Sequence, residues 1–197
     1  MGEEVKSARE IAMAKVAKLG ELTEEERLKF KYAPEGEKLA ARYISQDLNL
    51  INELGQYEEN ARSYVAGGAV GVFLRNIGLP ANDNARRNNK RAMEGLKTAK
   101  SDKVAVEGVF SRIGRLFEHY AGEGEQQKQQ AYESLKADFT ARMQAAVQQQ
   151  LGVGMGVDVD VTKQPQFQEE WRRAQAQMDA QYSQLLDEYK QELAVIS

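Results

Sequence analysis

The residues most suggestive of chemistry lie in the stretch LPANDNARRNNKRAMEG, where Arg86, Arg87, Lys90 and Arg91 fall at i, i+1, i+4 and i+5. On a helix that spacing gathers four cations on one face. With Lys97, Lys100 and Lys103, residues 86–103 carry seven positive charges against Glu94 and Asp102. The formal charge of the whole chain is −3, so the +5 of this segment leaves −8 for the rest. Such a polarised molecule suits an anion or a nucleic-acid backbone. Against that reading, no aromatic residues interleave with these bases and no recognition-helix motif is visible. A charged helix face is also commonly just solvated.

The other chemically able residues are more isolated. His119, the only histidine, keeps register with Arg112 and Arg115 off the apolar stripe, and reads as an exposed helix residue rather than a catalytic base. Asp158 and Asp160 form an Asp-x-Asp that a divalent cation can use. No third carboxylate stands nearby, however, and like charges on a strand edge commonly deter aggregation. Gly67, Gly68 and Gly71 precede the basic region, but no Gly-Lys-Ser/Thr follows, which disfavours a phosphate loop. Close helix approach or a bend explains these glycines better, with a strand through Val70, Val72 and Leu74 as the alternative. The absence of cysteine excludes disulfides, thiolate metal sites and thiol nucleophiles. With no nucleophile–base pair, metal cluster or cofactor loop in view, the expectation is a protein that is not an enzyme, with no cofactor and no metal.

The elements that would carry these residues are helices. Leu, Ile, Val and Phe make up 42 of 197 residues, just above the level that suggests disorder, and the low net charge argues for order. So few bulky residues favour thin bundles and hairpins. Val5, Ala8, Ile11, Ala12 and Val16 share a stripe over a helix at 3–19, closed by Gly20. Thr23 and Glu26 form a capping box opening a short helix to about Lys31. Prolines at 34, 80 and 165 mark joints, because proline is tolerated only in the first helical turn. After Pro34, helical spacing runs from Leu39 to Leu54, and a further segment runs from Gln56 toward Asn76. A helix from Asn82 to Ala99 places Asn89 in the seam between Ala85 and Ala92. There it either fixes register or, with Asn82, Asn84 and Asn88, decorates a wet helix start. Val106, Val109, Phe110, Ile113, Leu116, Phe117 and Tyr120 form the best amphipathic stripe, and Gly108 and Gly114 within it suggest close packing.

After AGEGE the composition shifts, and sixteen of eighteen glutamines lie beyond residue 125. Helices at 125–151 and 165–195 are joined through GVGMGVDVDVTKQ. There Val153, Met155, Val157, Val159 and Val161 alternate strictly with Gly and Asp, the period of a half-buried strand. Lacking a certain partner in the chain, that strand is expected to pair with its copy across a two-fold axis.

Three stretches, EEVKSAREIAMAKVAKLGELTEEE, NIGLPANDNARRNNKRAMEGL and QPQFQEEWRRAQAQMDAQYSQLLDEYKQEL, together resemble a small family of uncharacterised bacterial proteins with no assigned function. The resemblance implies no activity and assigns no functional residue. The expected architecture is therefore all-α: a helical bundle over 1–121, then over 122–197 a Gln-rich long helical hairpin with a β-like segment, 152–161, at its tip. No run approaches the roughly 18 apolar residues of a membrane span, and the N-terminus shows neither a signal-peptide core nor a myristoylation pattern. The expectation is a cytoplasmic homo-oligomer, a dimer through Val153, Met155, Val157, Val159 and Val161, serving as a scaffold or adaptor for another protein. The runner-up is an anion or nucleic-acid binder using Arg86, Arg87, Lys90 and Arg91.

Overall fold

The computed structural model describes residues 23–46, 48–151 and 160–197. The helix expected over 3–19 lies outside them, as do Val153, Met155, Val157, Val159 and Asp158. Among the described residues every regular element is helical: α1 (Glu24–Ser45), α2 (Leu50–Gly55), α3 (Glu59–Arg75), α4 (Asp83–Ala99), α5 (Lys103–His119), a π-helical turn (Tyr120–Gly124), α6 (Glu125–Leu151), a 3-10 turn (Val161–Lys163) and α7 (Pro165–Val195). The all-α class stands. Val70, Val72 and Leu74, the alternative strand, are part of α3, and so are Gly67, Gly68 and Gly71.

The described residues form two compact units that do not follow chain order. One takes the described part of Met1–Ile77 with Asn88–Val106 and Ile196–Ser197; the other takes Gly78–Arg87 and Glu107–Val195. The boundary differs from the expected division at residue 121, because most of α5 belongs with the hairpin rather than with an N-terminal bundle.

In the first unit, α1 opens with the expected capping box, in which Thr23 and Glu26 satisfy each other's backbone N–H groups. It then runs through Pro34 instead of restarting there. Proline denies the Phe30 carbonyl its helical donor, at a cost of about 3 kcal/mol in an open helix interior. The packing against α3 offsets that cost. A Cβ on Gly68 would lie 2.1 Å from the Ala33 carbonyl oxygen, and one on Gly36 only 1.9 Å from that of Val65. The two helices thus touch backbone to backbone beside Pro34, which only glycine permits. Farther along, Gly95 of α4 leaves room for the Phe73 ring, whose atoms a Cβ would meet at 2.5 Å. Tyr43 meets the same ring edge to face at 5.8 Å. Asn89 is buried beside Ala92 and Leu96, so it occupies the seam rather than a wet helix start.

In the second unit, AGEGE is not a loop. Helical winding continues from α5 through the π turn into α6, and α7 returns antiparallel to this run, with paired residues descending in number. Phe139 and Phe167 stack edge to face at 5.4 Å, and Tyr132 meets Phe167 at 5.5 Å and Trp171 at 5.1 Å. Val161, expected at the end of an intermolecular strand, instead lies in the 3-10 turn and is buried with Phe139 and Phe167. Asp160 caps that turn, accepting from the Thr162 hydroxyl at 2.6 Å and its N–H at 3.2 Å. Those bonds, with Lys163 at 3.2 Å, hold its carboxyl below the usual carboxylate range.

Gly108 and Gly114 do not serve close packing, since a Cβ at either meets nothing within 4 Å. Gly108→Ala is therefore expected to stabilise the protein by about 1 kcal/mol through helix propensity alone. Gly68→Ala is expected to destabilise by about 2 kcal/mol or more, because a backbone carbonyl cannot step aside. Urea unfolding of the two variants checks both signs.

Candidate functional site

The continuous run α5–π turn–α6 and the returning α7 are registered by aromatic and charged side chains around the π turn. A π turn inserts one residue into a helix and often marks a functional site. Here His119, Tyr120 and Gly124 surround a single side chain, Tyr182 of α7, and Glu123 stands behind His119. The rings of Tyr120 and Tyr182 meet edge to face at 5.1 Å. The Tyr182 hydroxyl lies 2.9 Å from His119 Nδ1, and Glu123 lies 2.9 Å from Nε2. A carboxylate only accepts, so in the tautomer with its proton on Nε2 His119 donates to Glu123 and accepts a hydrogen bond from the Tyr182 hydroxyl at Nδ1. Gly124 permits this seat, because a Cβ there would come within 3.0 Å of the Tyr182 hydroxyl.

The other partner of Tyr120 is Lys128, one of the few buried charges. Its ammonium donates to the Tyr120 hydroxyl at 2.7 Å and pairs with Asp179 at 2.7 Å. Burial alone would lower the Lys128 ammonium, but its bonds to Asp179 and Tyr120 outweigh that and raise it. Burial likewise pushes the Tyr120 hydroxyl up. A cavity of about 520 Å³ adjoins this group, lined by Tyr132, Trp171, Gln129 and Gln175 among others.

A larger groove, of about 900 Å³, follows the seam between the two limbs. Arg112, Arg115 and His119 form one wall. Met178, Tyr182, Leu185 and Tyr189 of α7 face them, and Leu116, Gln127, Gln177 and Gln181 also line the groove. No acidic residue lines it. Arg112 is tied to Glu192 and lies over the Tyr189 ring, 5.1 Å from its centre. Arg115 is exposed.

Of the four cations on the basic face of α4, one is committed elsewhere. Arg91 turns onto the end of α1, donating to the Tyr43 carbonyl at 2.6 Å and to that of Gln46, with its guanidinium over the Tyr43 ring. Lys100 is buried and donates to the Ile196 carbonyl; burial lowers its pKa. Lys103 closes the end of α4 through the Lys97, Thr98 and Lys100 carbonyls. Arg86, 3.5 Å from Asp83, remains exposed with Arg87 and Lys90. Asp160 is a turn cap, and among the described residues no group of three metal-ligating side chains occurs. No helix among them is long and apolar enough to cross a membrane.

His119 is exposed, as its register predicts. Its partnership with Tyr182 was not legible, because it joins positions 63 apart whose alignment depends on hairpin register. Lys128 carried no signal at all, since a lysine in a Gln-rich helix reads as solvated.

Among the described residues the fold is all-α, and its second unit contains an antiparallel helical hairpin with a π turn in one limb. The chain belongs to the family of unknown function DUF6657, whose model matches residues 51–195. No curated protein and no solved structure matches it.

Two outcomes check the site. Asp179→Ala is expected to cost about 2 kcal/mol, discounted for the partial exposure of the carboxylate, and more than Lys128→Met does, because it strands a buried ammonium. Chemical denaturation of both variants orders the two costs. Gly124→Ala should displace the Tyr182 hydroxyl and give His119 the same imidazole nitrogen shifts, by NMR, as Tyr182→Phe; unchanged shifts contradict the seat described above.

Proposed function

We propose that the protein is an interaction protein with no catalysis of its own, and that its hairpin groove holds one helix of a partner. The observation that supports this reading is the stripe Met178, Tyr182, Leu185 and Tyr189. Its steps of 4, 3 and 4 residues are those of a packed helix face, yet it lines an open groove and Leu185 stays 37% exposed. Two antiparallel helices with such a groove offer ridges and holes to a third helix, and helix-in-groove binding reads out anchors at this spacing. The Tyr182–His119–Glu123 chain fits this role as a brace that holds one groove wall. The exposed trio Arg86, Arg87 and Lys90 favours the nucleic-acid reading less, because three cations neutralise few phosphates and the contact would be weak and strongly salt-dependent.

Fluorescence titration of the full chain with synthetic amphipathic helices of varied charge tests the reading. Binding by at least one of them, weakened about tenfold or more by Leu185→Gln, supports it. The absence of binding by any of them, or binding that ignores Leu185, overturns it. Light scattering on the same proteins identifies a second copy as the occupant if a dimer dissociates on Leu185→Gln.

A further inference from the structure

We infer that the partner helix is acidic, presenting carboxylates one helical turn apart to Arg115 and Arg112 while its apolar stripe enters the groove. This deepens the groove reading and rests on it. Arg112, Arg115 and His119 stand at i, i+3 and i+7 on α5, a single row of cationic or protonatable groups along one wall. The protein as a whole carries −3, yet no acidic residue lines this groove. Glu192 and Glu123 already hold Arg112 and His119, so among the described residues Arg115 is the uncompensated cation of the groove, and it favours an acidic segment there over a basic one.

The three groups are unequally engaged. Arg112 pairs with Glu192, whose side chain is 46% exposed, and His119 pairs with Glu123, 70% exposed. Arg115 has no ion pair among the described residues, and its fork of N–H donors matches a carboxylate in two-point geometry. Exposed pairs of this kind contribute little to folding and exchange partners readily, so an incoming carboxylate takes Arg115 directly and competes with Glu192 for Arg112. The facing wall supplies Gln177 and Gln181, amides that repel neither sign. A basic helix would meet a like charge at Arg115. The apolar lining, Leu116, Met178 and Leu185, asks for aliphatic or aromatic anchors between the carboxylates.

The test uses the full chain and three labelled synthetic helices of about 18 residues, roughly five turns, sharing one Leu stripe and flanked by Glu, Gln or Lys. Fluorescence anisotropy is expected to show the Glu helix binding at least tenfold tighter than the Gln helix and weakening as salt rises. Arg115→Gln, an exposed site whose fold is checked by circular dichroism, should erase that advantage and leave the Gln helix unchanged. Equal binding of the Glu and Gln helices overturns the acidic preference while leaving the groove reading intact. Glu-helix binding that ignores Leu185→Gln overturns both. Displacement of the Glu helix by the Lys helix or by a thymidine oligonucleotide at equal concentration overturns the assignment of an acidic protein helix.

Discussion

Tyr182 rests on Gly124 with its ring against Tyr120 and its hydroxyl on His119, and the register of the hairpin depends on that contact. Helical pairs slide in steps of a turn, about 5.4 Å, unless something makes one register unique. Here the Tyr182 ring lies against Tyr120 and His119, and its hydroxyl sits where a Cβ on Gly124 would crowd it at 3.0 Å. From that point the remaining pairs follow in both directions. Arg112 meets Glu192 toward one end; Lys128 meets Asp179 and Phe139 meets Phe167 toward the other. Shifting α7 by one turn would separate all of them at once.

That dependence suits a thin hairpin, which buries few large side chains and gains only modest stability from any one of them. Edge-to-face aromatic contacts supply roughly 0.5–1.5 kcal/mol each beyond the area they cover. The Lys128–Asp179 pair adds selectivity more than stability, because desolvating an ammonium offsets much of its attraction. The first unit reaches order by another route, pressing α1 and α3 together at Gly36 and Gly68 until their backbones touch. Dispersion over a close contact of this kind compensates for sparse bulky side chains.

The distribution of charge follows from the same economy of side chains. Arg91, Lys100 and Lys103 close helix ends, where cations complement the carbonyl end of the helix dipole. Their clustering in the sequence reflects that capping work as much as any surface field. Arg112, Arg115 and His119 instead stand in one row on α5, with aromatic and aliphatic side chains of α7 lining the same groove.

Sequence alone determined what depends on neighbours within a turn or two. The all-α class, the capping box at Thr23 and Glu26, the start of α7 at Pro165 and the inward stripe of α5 are written in caps and in periodicity near 3.6. Such signals are local, and the chain obeys them. Tertiary structure decided whatever required a penalty to be overruled or distant positions to be matched. Pro34 and AGEGE carry the usual marks of a helix break, yet α1 and the α5–α6 run pass through both, because packing against α3 and α7 outweighs the local cost. The alternation ending at Val161 predicts a strand, but Val161 buries itself with Phe139 and Phe167 because an apolar residue goes to whatever apolar surface lies within reach. His119, Tyr182, Lys128 and Asp179 met only when two helices found one register, and register is a property of shape across the seam that no single helix encodes.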